Sequence, residues 1–372
     1  MASARRRRAG WLDQRCGLPL EKFMIRARHV LPIVAGVCVS VLAQAQDVSW
    51  YKFKDKYISL GTLKKADTVA QGAVVFQRAT MHAAQFGVDE SLRVEVQDQI
   101  WTLGKSREIV IRDKAGKTLR TIADPDIATK ADNISGNLAL FAVAGGVVRL
   151  VRLEGRHGYV LRRYDAQGSP QGSFRLAHTR YTTKGNVTTS DPHLYYFAHT
   201  DHEVVFSSLG QRAGETVILG LADGGERRLP YAIAGLVIGA RDRRLAGWAH
   251  PDETGQKLSV EVGERKFTIE DEGRGDAVRA IIDENIIYLA HYHNIATGCR
   301  LSAYDIRTGK SVWRADVKQL NVGHSEYYNL VYLSLLAGRL VLEANEAAGA
   351  YLQIFDPKTG ARLFADVPAL PQ

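Results

Sequence analysis

Cysteine is scarce in this sequence. The 372 residues include three, and two of them, Cys16 and Cys38, lie in a leader that we expect to be removed. Only Cys299 then remains, so the mature chain has no internal disulfide. Burial of apolar surface must hold the fold together, and we expect Cys299 to be a small buried residue.

Long apolar runs are also missing. The run over residues 30–42 is shorter than the roughly 20 residues that span a bilayer. It follows a short basic stretch and precedes the small residues of Ala43-Gln44-Ala45, which predicts a secretory signal peptide within residues 1–45. Residues 1–23 are either a basic extension of this leader or lie before the true translation start at Met24. We favour the start at Met24. We expect a periplasmic or secreted mature chain that begins at Gln46 and has no transmembrane segment.

The mature chain has little excess of either charge. The leader holds eight Lys and Arg against two Asp and Glu, so 41 basic and 38 acidic residues remain and the net charge falls from +9 to about +3. A chain that binds nucleic acid through a basic surface carries a larger positive excess. We therefore expect no nucleic-acid partner.

Helical periodicity is absent past the leader, and short apolar runs separated by Gly and Asp take its place. These runs are rich in β-branched and aromatic residues, and several alternate apolar with polar residues, as strands do. They include residues 138–143, 147–153, 159–164, 204–206, 217–221, 286–290 and 340–342. The pattern predicts an all-β fold.

The turns repeat along the chain. An Asp side chain accepts hydrogen bonds from the backbone just ahead of it, and a following Gly closes the turn with a positive φ. A sixth hairpin is expected at Gly263, and the others are Asp113–Gly116, Asp165–Gly168, Asp223–Gly225, Asp305–Gly309 and Asp356–Gly360. The mean spacing of about 50 residues is that of a four-stranded propeller blade. We predict a β-propeller of about six blades over residues 73–372; residues 46–72 form either a ring-closing strand or an incomplete seventh blade.

Two segments carry a recognisable repeat. Residues 303–313, AYDIRTGKSVW, resemble the PQQ-like repeat of quinoprotein-type propellers, and residues 354–364, IFDPKTGARLF, are a second copy. The resemblance implies that Trp313 and Phe364 pack between neighbouring blades. It does not extend to the cofactor, because the quinone-binding enzymes of that family are longer and commonly have a vicinal Cys pair. We therefore expect no cofactor, and PQQ least of all.

Histidines are concentrated in the segments that we assign to one face of the ring. If each blade has four strands, seven of them fall in loops between blades or between second and third strands, and we call this end of the ring the loop face. The predicted binding residues of the loop face are His157, His178, Arg180, Tyr181, His193, His250, His291, His293 and His324. Polar residues are common in loops for structural reasons alone.

His291 and His293 are the candidates for a divalent metal site. Two residues apart on an extended strand, they would point their imidazoles to the same side. No other residue pattern in the chain indicates a metal.

The sequence therefore favours a monomeric periplasmic module whose loop face binds a protein, a peptide or a glycan. The alternative is an exported lyase or hydrolase that acts on a carbohydrate, in which His, Tyr and Arg of the loop face would move a proton and neutralise a carboxylate. We favour binding over catalysis.

Overall fold

The computed structural model describes most of the mature chain, and the residues that it describes form strands and turns only. The described residues are 49–77, 93–103, 108–123, 138–153, 158–177, 180–184, 187–191, 194–208, 214–252, 257–269, 277–292, 299–318, 330–346 and 349–367. The leader, residues 1–45, lies outside them. Within these ranges no helix that could span a membrane is found.

Six segments of the described chain fold as antiparallel meanders of four strands, which we number blades 1 to 6 in chain order. Their strands are β5 (Arg93–Val96), β6 (Gln99–Leu103), β7 (Ile109–Asp113) and β8 (Thr118–Ile122) in blade 1; β9 (Leu138–Val143), β10 (Gly146–Leu153), β11 (Gly158–Asp165) and β12 (Pro170–Ala177) in blade 2; β15 (Leu194–His199), β16 (Glu203–Ser208), β17 (Thr216–Gly220) and β18 (Glu226–Leu229) in blade 3; β19 (Gly235–Gly239), β20 (Leu245–Pro251), β21 (Leu258–Val262) and β22 (Arg265–Ile269) in blade 4; β23 (Ala277–Asp283), β24 (Ile286–Tyr292), β25 (Cys299–Asp305) and β26 (Lys310–Asp316) in blade 5; and β27 (Leu330–Leu336), β28 (Arg339–Glu346), β29 (Gly349–Phe355) and β30 (Arg362–Asp366) in blade 6.

The remaining strands form two further sheets. The N-terminal sheet contains β1 (Ser49–Phe53), β2 (Lys56–Ser59), β3 (Lys65–Ala66) and β4 (Val74–Gln77), in the order β3-β2-β1-β4 with β4 parallel to β1. A two-stranded hairpin of β13 (Arg180–Lys184) and β14 (Val187–Asp191) lies between blades 2 and 3 in the chain. Blades 4 and 5 are joined by the parallel pair β19 and β23. The all-β propeller is confirmed.

The repeated turns occupy equivalent positions. Each lies between the third and fourth strands of its blade, including the one at Gly263 in blade 4. Asp165 is typical: its Oδ1 accepts from the backbone N–H of Gln167 at 3.0 Å and of Ser169 at 2.8 Å. In the five turns that begin with Asp, a Gly has φ between +68° and +87°. The predicted Asp–Gly turns are confirmed.

Neighbouring blades are held together by apolar contacts between their faces. Six apolar clusters join blades 1 and 2, 2 and 3, 3 and 4, 4 and 5, 5 and 6, and finally blade 6 and the N-terminal sheet. In each strand the alternate residues face opposite neighbours, as the pleat requires. Inner strands such as β17 and β19 therefore read as nearly continuous apolar runs, because both of their faces are covered.

A glycine of one blade often lies against a large side chain of the blade before it. Gly360, in blade 6, lies over the ring of Trp313, in blade 5, so a Cβ built at Gly360 would come within 2.6 Å of Trp313 Cδ2. The indole Nε1 donates to the carbonyl oxygen of Pro357 in the same turn, at 2.9 Å. The structural role that the repeat implies for Trp313 is confirmed. Equivalent contacts join Gly224 to Phe174 and Gly309 to Phe267.

The N-terminal sheet packs on the last blade. Tyr51 and Ile58 are buried with residues of β28 and β29, and Tyr51 donates a hydrogen bond to Glu343 at 2.7 Å. Phe364 joins the same cluster, as the repeat implies. Residues near the two ends of the described chain thus meet, and the segment 46–72 contributes three strands to this sheet, which continues past residue 72 into β4.

Candidate functional site: a groove between blades 3 and 4

Two of the predicted loop-face histidines are strand residues. His250 lies in β20 and is 4% exposed, and His291 lies in β24 and is fully buried. Their assignment to loops is therefore wrong. The reason is that β20 and β24 continue through the polar residues: His250 pairs with Ser259, and His291 lies between Val278 and Arg300.

The other predicted residues are not brought into a described site. Arg180 and Tyr181 lie in β13 of the two-stranded hairpin. Five of the predicted histidines lie outside the described residues: His157, His178, His193, His293 and His324. Among the residues that the structure describes, no three His, Cys, Asp or Glu side chains are grouped to hold a metal ion. The metal pair His291 and His293 thus stays a prediction, with its first member buried. Cys299 is buried, as expected.

His250 belongs to a polar cluster between blades 3 and 4, which we call the blade 3–4 groove. Its other members were not predicted. They are Arg227 of β18, Tyr231 of the connection between the two blades, Trp248 of β20, Glu261 of β21 and Lys266 of β22.

Strand register explains why these residues meet. Trp248 lies directly opposite Glu261, and Glu261 lies opposite Lys266, so the three form a row across one face of blade 4. The same face packs on blade 3, where Leu229 is buried beside the partly buried Trp248. Arg227 is two residues before Leu229 and faces the same way.

The cluster is closed by its own hydrogen bonds. Trp248 Nε1 donates to the Tyr231 hydroxyl at 2.8 Å, and that hydroxyl donates to Glu261 Oε2 at 2.8 Å. Glu261 Oε1 lies 3.1 Å from both His250 Nε2 and Lys266 Nζ. The other ring nitrogen of His250, Nδ1, lies 2.7 Å from the carbonyl oxygen of Pro251. Side chains from three strands and one connection are thereby held in one arrangement.

Ring contacts add to the hydrogen bonds. The rings of Tyr231 and His250 are stacked, with centroids 4.1 Å apart and planes 19° from parallel. The guanidinium of Arg227 lies over the indole of Trp248, 4.7 Å from the ring centroid. Within 6 Å such a cation is attracted by the negative face of the ring.

Two groups of the groove, Tyr231 and Glu261, have shifted pKa values. Burial, and then the hydrogen bond to Glu261, raise the pKa of Tyr231 to about 12. Partial burial disfavours the charged form of Glu261, but the hydrogen bonds that it accepts outweigh burial and lower the pKa of its carboxyl group. A general base works best with a pKa near the ambient pH. The pKa of Tyr231 is far above that range, and the pKa of Glu261 is below even its usual value.

A depression of about 410 Å³ lies between the first hairpins of blades 4 and 5. One of its lining arginines is paired with two lining carboxylates. Arg241 contacts Asp283 Oδ1 at 2.9 Å and Glu284 Oε1 at 3.0 Å. We read this depression as a solvated space between two hairpins.

Part of the groove could be predicted from the sequence. The alternation Ser259-Val260-Glu261-Val262 predicts a strand that would place Glu261 on one face, and Trp248 and His250 are two residues apart. Nothing local indicates that Tyr231 and Arg227, which belong to another blade and its connection, would meet them.

No family model matches this chain. No curated protein matches it either. Among solved structures, BamB from Moraxella catarrhalis is 13% identical, with 78% of this chain and 79% of that chain covered and a TM-score of 0.38. Apo AztD from Citrobacter koseri is 13% identical, with 75% and 71% covered and a TM-score of 0.39. The β-propeller domain of the Trilobed protease from Pyrococcus furiosus is 10% identical, with 81% and 84% covered and a TM-score of 0.37. Similarity at this level concerns the fold alone.

Proposed function

We propose that this chain is an exported, periplasmic β-propeller that acts as a binding module for a protein, a peptide or a glycan. The leader supports export, because its basic stretch, apolar core and small-residue site have the proportions of a signal peptide. The alternative, a lyase or hydrolase acting on a carbohydrate, has less support from the described residues.

The observation that carries this proposal is the closed hydrogen-bond network of the blade 3–4 groove. A polar network that is satisfied internally is rigid and needs no reorganisation when a partner docks beside it. Tyr, Trp and Arg, the residue types that dominate binding energy in interfaces, meet in this groove. The same network leaves neither Tyr231 nor Glu261 with the pKa that a proton-transfer step needs.

Photocrosslinking in cells tests the proposal. A photoreactive phenylalanine analogue is introduced at Lys266, whose side chain is 54% exposed at the groove, and separately at Leu119, which is 50% exposed on the outer strand of blade 1. Because the two sites are equally accessible, random collision labels them equally. We expect a discrete adduct from the periplasmic fraction with the Lys266 probe and not with the Leu119 probe.

Other outcomes would contradict the proposed binding role of the groove. Equal labelling by both probes, or no labelling by the Lys266 probe, would exclude the groove as a binding surface. Cleavage of a bacterial polysaccharide by the purified mature protein, lost when His250 is replaced, would favour the enzymatic alternative instead.

A further inference from the structure

Arg227 is an exposed charged group of the groove, and unlike Lys266 it is not ion-paired with Glu261. It lies on β18, the outermost strand of blade 3, and is exposed. Its guanidinium lies over the indole of Trp248, 4.7 Å from the ring centroid. An arginine held in place by such a contact loses less conformational freedom when it binds a planar anion.

The support under Arg227 is itself fixed. Trp248 is tied through its Nε1 to Tyr231, and Tyr231 is tied to Glu261. The neighbouring residue Arg228 is also exposed, but it points to the opposite face of β18 and forms ion pairs with Glu215 and Glu226. Two adjacent arginines on one strand therefore have different partners, two carboxylates in one case and an aromatic ring in the other.

The aromatic faces of the groove are already in use. Arg227 covers one face of Trp248, and His250 covers one face of Tyr231. A ligand that lays a flat apolar face on these covered ring faces would first have to displace a stacked neighbour. A ligand that offers acceptors to the guanidinium displaces nothing, and a carboxylate matches the guanidinium geometry with two parallel hydrogen bonds.

The edge of β18 indicates the kind of molecule that carries this carboxylate. As the outermost strand of its sheet, β18 presents a row of backbone N–H and C=O groups to solvent. An extended peptide can pair with such an edge and place its side chains in the adjacent groove. Resting on the binding role proposed above, we infer that the blade 3–4 groove recognises an extended acidic peptide segment through Arg227 and the edge of β18.

Binding of a model acidic peptide to the mature protein tests this inference. The probe is a ten-residue glutamate-rich peptide, and the comparison ligand is an oligogalacturonate of similar length and charge. The readout is the intrinsic fluorescence of Trp248, identified by its loss in Trp248→Phe. Arg227→Gln is compared with the matched control Arg228→Gln, which removes the same charge from the same strand.

We expect the peptide to bind about tenfold or more weakly to Arg227→Gln, because a hydrogen-bonded charge pair is lost, and to bind almost normally to Arg228→Gln. An equal loss in both variants would reduce the effect to overall charge and overturn the inference. Binding of the oligogalacturonate without the peptide, or of neither ligand, would overturn it as well. If the Lys266 adduct still forms in cells in that case, the binding role survives and only the ligand class is wrong.

Discussion

Replacing Gly360 by alanine should destabilise the ring far more than the same change at Gly338. Both glycines have nearly the same backbone conformation, with φ of +71° and +72°. Alanine at either position costs about 1–2 kcal/mol, because the left-handed region disfavours a Cβ. Only at Gly360 does the new Cβ also meet the Trp313 ring, at 2.6 Å from Cδ2, whereas nothing lies within 4 Å at Gly338.

The added cost at Gly360 is that of overpacking a filled contact, about 1–3 kcal/mol. The difference between the two variants therefore isolates the glycine–tryptophan contact between blades 5 and 6. Urea denaturation followed by tryptophan fluorescence measures both free energies of unfolding under one set of conditions. Equal losses in the two variants would show that Trp313 does not rest on the Gly360 turn and would refute this account of blade docking.

Three further predictions concern the leader, the repeat and the acid response. Intact-mass measurement of the secreted protein should give a chain that starts at Gln46, and retention of residues 1–45 would contradict the signal-peptide assignment. Trp313→Ala should lower the free energy of unfolding by about 3–5 kcal/mol, as expected for a buried indole, and an unchanged urea midpoint would contradict its packing role. Hydrogen bonds from Arg307 lower the pKa of Asp305 to about 2 from 3.8, so this turn stabilises the fold above pH 3.8 and loses that contribution as the pH falls toward 2. The melting temperature of Asp305→Asn should therefore fall less than that of the parent between pH 4 and pH 2. An identical pH dependence of the melting temperature in both proteins would contradict this stabilising role of the Asp305 carboxylate.

The fold was predictable from sequence where its determinants are local. Asp165 and Gly168 lie three residues apart in one turn, so their types and spacing are enough to place a hairpin and, by repetition, a blade. The contact between Gly360 and Trp313 was only partly predictable from the sequence. The repeat marks both residues, but their meeting depends on the stacking of two blades.

The site was less predictable, because its members come from separate parts of the chain. His250 looked like a loop residue since imidazoles are common in loops, whereas here the pairing of β20 with β21 continues through it. For Glu261 the sequence predicts only a position in an alternating strand. Its partner Tyr231 comes from the connection between blades, and no pattern of spacing relates the two.

Amide hydrogen exchange tests the central claim, that the blade 3–4 groove is a binding surface, most directly. Exchange is measured on the mature protein alone and on its complex with the partner identified through the Lys266 adduct. We expect slower exchange in residues 226–234 and 245–251, which line the groove, and unchanged exchange in residues 356–361, the turn of blade 6. Protection confined to other segments, or exchange in the groove that is the same with and without the partner, would contradict the claim.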